Sequence, residues 1–469
     1  MRINECGPGA GNPSISPAVF FGRQLGRTPD AAACRSSDPD RSKMSVTATV
    51  RASGRTNVAP GMTVMMLLVS DERVLKQPSA RELRISMIVQ MSHHHVWLSL
   101  VSFVAVLMAG CARPYLPPAI EPADSDGHFD GVLPLLETYG ALHLLWIHGM
   151  CPHSKEDWAD PRAHALASRL GVEQPRAERV GDVVYRYRLD YRGRTITLDM
   201  IVWSPLIEQR RASLCFDSRP SGDGPAHDAC GDKARYPYER AALNDGLKSG
   251  LMNACLADAL IYVGDQGREV REHLLPDIER ALSGSPARSD RAVVLISESL
   301  GSKVMFDIVQ QIMGNTSPSA LAADARATLA KTRQLVMFAN QIPMLDLVGP
   351  APSLPAKDGA TAAGDASSLR GFIRLLKDYR TNELDGSFAR LKLVAFSDPN
   401  DVLSYRLPRD YFPEAYRTDV INVLPSNDVV WFGLLENPLT AHQGYADTDD
   451  VMQLFLCGNP VVPGCLPAQ

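Results

Sequence analysis

The chain has 469 residues, of which 22% are charged and 45% hydrophobic, and a formal net charge of -5. That length would hold two or three domains, and the slightly negative balance speaks against a nucleic-acid surface, so no nucleic-acid partner is expected. The nine cysteines form no C-x-x-C pair, which argues against a zinc module and leaves disulfides or a free thiol.

Residues 1–86 are rich in Arg, Ser, Pro, Gly and Asp and show no sustained period beyond one apolar patch at 62–69. They read as an extension upstream of a start at Met87 or Met91, outside any folded domain. The apolar run at 96–108 is too short to span a bilayer and has the length of a signal-peptide core, so 87–110 is read as a signal. His93 to His95 stand at its head and need no metal. The ending Leu107-Met108-Ala109-Gly110-Cys111 resembles a bacterial lipobox. That resemblance implies a lipidated Cys111 as the mature N-terminus and a membrane partner reached through the lipid anchor. Ala112, rather than Asp, after the cysteine resembles lipoproteins sorted to the outer membrane, which implies a cell-envelope location facing the periplasm.

Residues 111–130 are Pro- and acid-rich and read as a tether, and 131–469 as one domain with an insertion at about 180–240. With Cys111 lipidated and Cys6 and Cys34 upstream, six cysteines remain for an oxidising compartment. Six allow 15 pairings. Cys215/Cys230 and Cys457/Cys465 each bracket a loop containing Gly and Pro, which would leave Cys151 with Cys255.

In chain order, 142–147 reads as a buried strand that ends in His148-Gly149-Met150, and 161–170 as a helix. Residues 183–191 and 194–203 read as a hairpin about Arg192-Gly193, whose polar alternate positions suit one solvated face. A helical stretch at about 238–256 and a buried strand at 259–263 follow. Val270, Leu274, Ile278 and Leu282 then mark a helix, in which Pro276 predicts a kink. Residues 292–296 form an apolar, β-branched run. After a turn, Val304, Ile308 and Ile312 mark the buried face of the next helix. Strands at 335–339, 391–396 and 420–424, a polar loop at 349–368 and a helix at 369–378 complete the pattern. Strands alternating with helices predict an α/β fold, a mainly parallel sheet flanked by helices, with an inserted β-hairpin and disulfide loop.

Chemistry converges on Ile296-Ser297-Glu298-Ser299-Leu300-Gly301, where the strand turns into the helix and Ser299 sits at the joint. A nucleophile elbow has this form, with small residues two positions either side so that strand and helix approach closely. The usual first residue is Gly. Ser297 stands there instead, small but with less conformational freedom. A serine nucleophile needs a base, and a carboxylate to hold that base in one tautomer. Two carboxylates, Asp398 and Asp401, follow the strand at 391–396, where parallel sheets place functional groups. The base falls to His442, the only histidine after the elbow, in a loop past the last strand.

These motifs, over about 141–457, resemble the α/β-hydrolase superfamily of the esterase/lipase type. The resemblance implies the fold and a triad of Ser299, Asp401 and His442. Asp401 is preferred to Asp398 because Val402 and Leu403 follow it as apolar residues follow the acid in that superfamily. It further implies an oxyanion hole from the Met150 and Leu300 N–H groups, with His148, Gly149, Ser297 and Gly301 shaping the supporting turns. The chemistry implied is hydrolysis of a small-molecule or lipid carboxylic ester through an acyl-enzyme, with no metal or cofactor. A non-catalytic lipoprotein using the same fold as a scaffold, or an acyltransferase, are the alternatives. One departure concerns the sheet: the short run before Leu142 leaves little room for the two strands that normally precede it, and the hairpin would either fill that edge or cap the site.

Overall fold

A computed structural model describes residues 112–113, 116–123, 127–217, 240–283, 292–348, 367–383, 389–431 and 433–467. The extension, the signal segment with His93 to His95, Cys111, Cys230 and most of the loop at 349–368 lie outside the described residues.

Nine strands make one sheet: β1 (Ala119–Glu121), β2 (Ala141–Ile147), β3 (Glu178–Arg179), β4 (Val184–Tyr191), β5 (Arg194–Ile201), β6 (Ala292–Glu298), β7 (Thr332–Phe338), β8 (Leu391–Phe396) and β9 (Thr418–Leu424). Their spatial order is β1-β9-β8-β7-β6-β2-β5-β4-β3. From β9 through to β5 every neighbour is parallel, and β1, β4 and β3 add antiparallel edges. Parallel neighbours need crossovers, and helices supply them. Among the helices are α1 (Val132–Tyr139), α2 (Asp160–Leu170), α3 (Gln266–Ser283), α4 (Gly301–Gly314), α5 (Ala320–Leu329), α6 (Ser368–Glu383), α7 (Pro438–Gln443) and α8 (Asp449–Cys457).

The two-residue side-chain period divides the core into two layers. Leu145 and Ile147 of β2 and Val293 and Leu295 of β6 pack with residues of α3, α4, α5 and α6. Leu142, Leu144 and Trp146, with Val294 and Ile296, face α1, α2 and α8. Both faces of the central strands are therefore dry, which is why they read as continuous apolar runs rather than alternating ones. Pro276 lies inside α3, which runs on to Ser283.

Three expectations are resolved by the packing. The hairpin fills the sheet edge, because β5 pairs in parallel with β2 from Ala141↔Thr195 to Ile147↔Ile201. Its polar positions divide: Arg188 and Asp190 near the turn are exposed, whereas those further along are not solvated. Arg186, Thr197 and Asp199 are buried, with Arg186 donating both to Asp199 and to the Ala281 carbonyl near the end of α3. Paired charge satisfies Arg186 and Asp199. The segment expected as a strand at 259–263 is helical (Ala257–Val263), with Leu260 exposed and Tyr262 buried. Five apolar residues are too few to separate a strand from one buried helix turn, and the flanking helical residues decide the conformation.

Disulfides join Cys151 to Cys255 and Cys457 to Cys465. Cys215 is also disulfide-bonded. Among the described residues no helix is long and apolar enough to cross a membrane.

Candidate active site

The site lies at the C-terminal ends of the parallel strands, where β2 and β6 stop level with each other, Ile147 opposite Ser297. Beyond that point each chain turns. Ser299 takes φ +52, a left-handed conformation uncommon for a residue with a Cβ and worth about 1–3 kcal/mol of strain. It is held there from both sides. Its N–H donates to Phe338 O at 2.8 Å, and its carbonyl accepts from Ser302 N at 3.0 Å as α4 begins.

Glycine is needed at two neighbouring positions because backbone meets backbone. A Cβ on Gly301 would come 2.3 Å from His148 O, and one on Gly149 would come 2.7 Å from Ser299 Cβ. No such demand falls on Ser297. It is paired within β6, has no positive φ, and its Oγ lies 3.1 Å from Ser302 Oγ in the interior. The hydroxyl thus fills the space and ties strand to helix, which explains why the missing glycine leaves the turn intact.

Ser299 Oγ donates to His442 Nε2 at 2.9 Å, and His442 Nδ1 lies 2.9 Å from both carboxylate oxygens of Asp401. These lengths fall within the range that general-base catalysis requires. His442 is presented by α7, a short helix that Asn437 caps by accepting from Leu439 N, with Pro438 at its first position. The Asn427 amide donates to Ala441 O at 2.7 Å and fixes the turn carrying the imidazole.

Asp401 also accepts from Leu403 N and from the Tyr445 hydroxyl, each at 3.0 Å. Burial alone would raise its pKa, but the His442 hydrogen bond and charge, joined by those two donors, hold the carboxyl below its ordinary value. Asp398 does different work. Its carboxylate accepts from Asn400 N at 2.8 Å and Asn427 N at 2.6 Å, and its own N–H donates to Tyr445 Oη at 2.7 Å. Asp398 shapes the loop and Asp401 faces the imidazole.

His148 is not available as a base. Its Nε2 accepts from the Trp203 and Ser204 N–H groups at 3.0 and 3.2 Å, so the proton sits on Nδ1, which donates to Gly149 O at 2.8 Å. Burial, and then the neighbouring His153, lower its pKa well below the usual imidazole value. A neutral ring stacked on Trp203 at 5.4 Å thereby locks the turn that carries Met150. Met150 and Leu300 are both buried, and neither N–H is taken by an acceptor among the described residues. Buried N–H groups are seldom left so, and two beside a nucleophile are what an oxyanion requires.

Sequence reasoning missed two contributors. Tyr445, three residues beyond His442, bridges Asp401 to the Asp398 backbone, and burial followed by the Asp401 charge keeps its hydroxyl protonated as a donor. The one-turn spacing was the available signal. Glu298, just before Ser299, accepts from the indoles of Trp146 and Trp158 at 2.9 and 3.1 Å, and nothing in the local sequence pairs those residues. Among the described residues, no group of three or more His, Cys, Asp or Glu side chains gathers as a metal site would require. No family model, curated protein or solved structure matches the chain.

Proposed function

We propose that this chain is a serine hydrolase of the α/β-hydrolase type, carried on a lipid anchor at Cys111 in a bacterial cell envelope, that cleaves a carboxylic ester. The observation that carries the proposal is the continuous relay from Ser299 Oγ through His442 to Asp401, with Ser299 at a positive φ on a strand-to-helix turn. The chain order Ser299, Asp401, His442 supports it, as does the strand bearing the His148 turn lying next to the nucleophile strand. The lipobox-like sequence before Cys111 supports the envelope location.

In this reading Ser299 Oγ attacks the ester carbonyl while His442 Nε2 takes its proton. Asp401 keeps His442 in the Nδ1–H tautomer and stabilises the imidazolium. The carbonyl oxygen, now negative, is held by the Met150 and Leu300 N–H groups. Collapse of the tetrahedral species breaks the bond to the alkoxy oxygen, which leaves with the proton from His442. Water, deprotonated by the same nitrogen, then frees the acid and restores Ser299. Each step uses only groups the chain itself supplies.

A fluorophosphonate probe tests the proposal, because it phosphonylates only an activated serine. Labelling of the wild type that vanishes in Ser299→Ala is expected. A wild type that takes no label, or a variant labelled as strongly as the wild type, would defeat it and favour a non-catalytic scaffold. Product analysis with a competing alcohol separates hydrolysis from acyl transfer.

A further inference from the structure

The loop segment between β9 and α7 carries apolar side chains that the core does not use. Trp431 is 48% exposed, Leu434 86%, Leu435 61% and Leu439 46%. These are not scattered residues on a mobile strand. Trp431 N donates to Leu435 O at 2.8 Å and Leu434 N to Trp431 O at 2.9 Å, closing a tight turn with Gly433 at φ +67, so that the two leucines stand at its tip. Val402, 65% exposed, joins them from the next loop, whose Asn400 amide donates to Glu436 Oε2 at 2.7 Å. Val402 follows Asp401 and Leu439 precedes His442 by one turn, so these two stand beside the Ser299 site while the turn bearing Leu434 and Leu435 lies further out on the same segment.

A second observation says what the patch faces. Ala112 and Arg113 pair antiparallel with this same segment, Ala112 opposite Trp431 and Arg113 opposite Val430. Cys111 is the next residue in the chain, one Cα step of about 3.8 Å from Ala112. Lipid carried on Cys111 would therefore enter the bilayer within a residue or so of Trp431. Contiguous exposed apolar surface marks an interaction site, and Trp with Leu at an interface suits the boundary between head groups and acyl chains. A partner protein would require Trp431 to be covered away from lipid, whereas the neighbouring anchor point brings lipid to it.

We propose that Val429, Trp431, Leu434 and Leu435, with Val402 and Leu439, form a membrane-docking surface that seats the mouth of the Ser299 site in the lipid layer, so that the ester substrate is a membrane lipid. The proposal rests on the hydrolase and lipoprotein readings above. It makes the anchor and the patch two parts of one attachment: acyl chains hold the protein at the membrane, and the patch fixes which face is turned down.

The experiment uses the full chain with phosphatidylethanolamine/phosphatidylglycerol vesicles whose phospholipids carry bromine at mid-chain, a short-range quencher of indole fluorescence. Trp146, Trp158 and Trp203 are buried and Trp97 lies in the signal segment, so the difference between the wild type and Trp431→Phe isolates the part of the signal that belongs to the patch. A quenched component present in the wild type and missing in Trp431→Phe is expected. In the double variant Leu434→Asp/Leu435→Asp, quenching should be lost and turnover of a vesicle-embedded long-chain ester should fall about tenfold or more, while turnover of a soluble short-chain ester is unchanged. Trp431 fluorescence indifferent to brominated lipid, or a double variant that keeps the wild-type ratio of embedded to soluble turnover, would overturn the docking surface. If Trp431 is quenched but neither ester is turned over, the docking surface stands and the hydrolase reading fails. If the soluble ester is turned over and Trp431 is never quenched, the reverse holds.

Discussion

His442–Asp401 at the strand ends and His143–Asp199 within the sheet are close in length, 2.9 Å for the first and 2.7 Å for the second. Their surroundings separate them. His143 and Asp199 are fully buried, and Asp199 is already matched by Arg186, which donates to both of its oxygens at 2.7 Å. The second ring nitrogen of His143, Nδ1, has no partner among the described residues, and no hydroxyl waits beside it. The second nitrogen of His442 instead receives the Ser299 hydroxyl, on loops that open at the end of the sheet. A histidine on a carboxylate is thus only half of a site. The pair becomes chemical when the other nitrogen meets an ionisable proton, and structural when an arginine and a closed core surround it.

Substitution of the two carboxylates should separate those roles most sharply. Asp401→Asn is expected to lower kcat/KM by about 10⁴ by favouring the wrong tautomer of His442, with little change in melting temperature. Asp398→Asn should cost far less activity, and ester-hydrolysis kinetics of the two variants side by side would expose an error in the assignment. Asp199→Asn should do the opposite of Asp401→Asn. It leaves Arg186 buried without its counter-charge, for a loss of about 3–5 kcal/mol in denaturant unfolding, while turnover per folded molecule stays near wild type. A fall in turnover with stability preserved would mean that the buried pair does take part in the chemistry.

Smaller effects test the layer behind the triad. Tyr445→Phe removes one donor from Asp401 and the acceptor of the Asp398 N–H, and should lower kcat by about tenfold. If it acts through positioning, the drop should lie in kcat rather than KM. Glu436 gives the mildest signal. Burial, and then the charge of Asp398, push its carboxyl up to about 7. The folded protein therefore retains a proton that the unfolded chain loses near pH 4.3, the ordinary Glu value. Its stabilising contribution is complete below that value and is lost as pH rises through about 7. Melting temperature should thus decline between pH 5 and pH 8 by more in the wild type than in Glu436→Gln, and equal slopes would remove the effect.

The features legible in the sequence were those that depend on local pattern. Buried parallel strands announce themselves as apolar runs, so β2, β6, β7, β8 and β9 were found, and the joint at Ser299 followed from the change of period between β6 and α4. Tertiary pairing was not legible. The hairpin looked half-solvated because Arg186 and Asp199 alternate with apolar residues, and only the packing of α3 over them reveals that they neutralise each other in the core. Ser297 looked like a weakness because the elbow usually needs Gly there, whereas the close approaches in this chain fall on Gly149 and Gly301. Asp398 and Asp401 are three residues apart in one loop, a distance over which sequence carries little direction, and it is the contact of Asp401 with His442 Nδ1 that tells them apart.

The relay draws its members from loops that appear in the chain in the order Ser299, Asp401, His442, and the last of them sits on α7, after the final strand of the sheet. A nascent chain that has reached only β9 already contains Ser299 and Asp401, yet lacks His442, the imidazole that meets them both. Under the proposed hydrolase reading, activity therefore waits on α7 and begins only once the segment that carries His442 has been made and has packed at the strand ends.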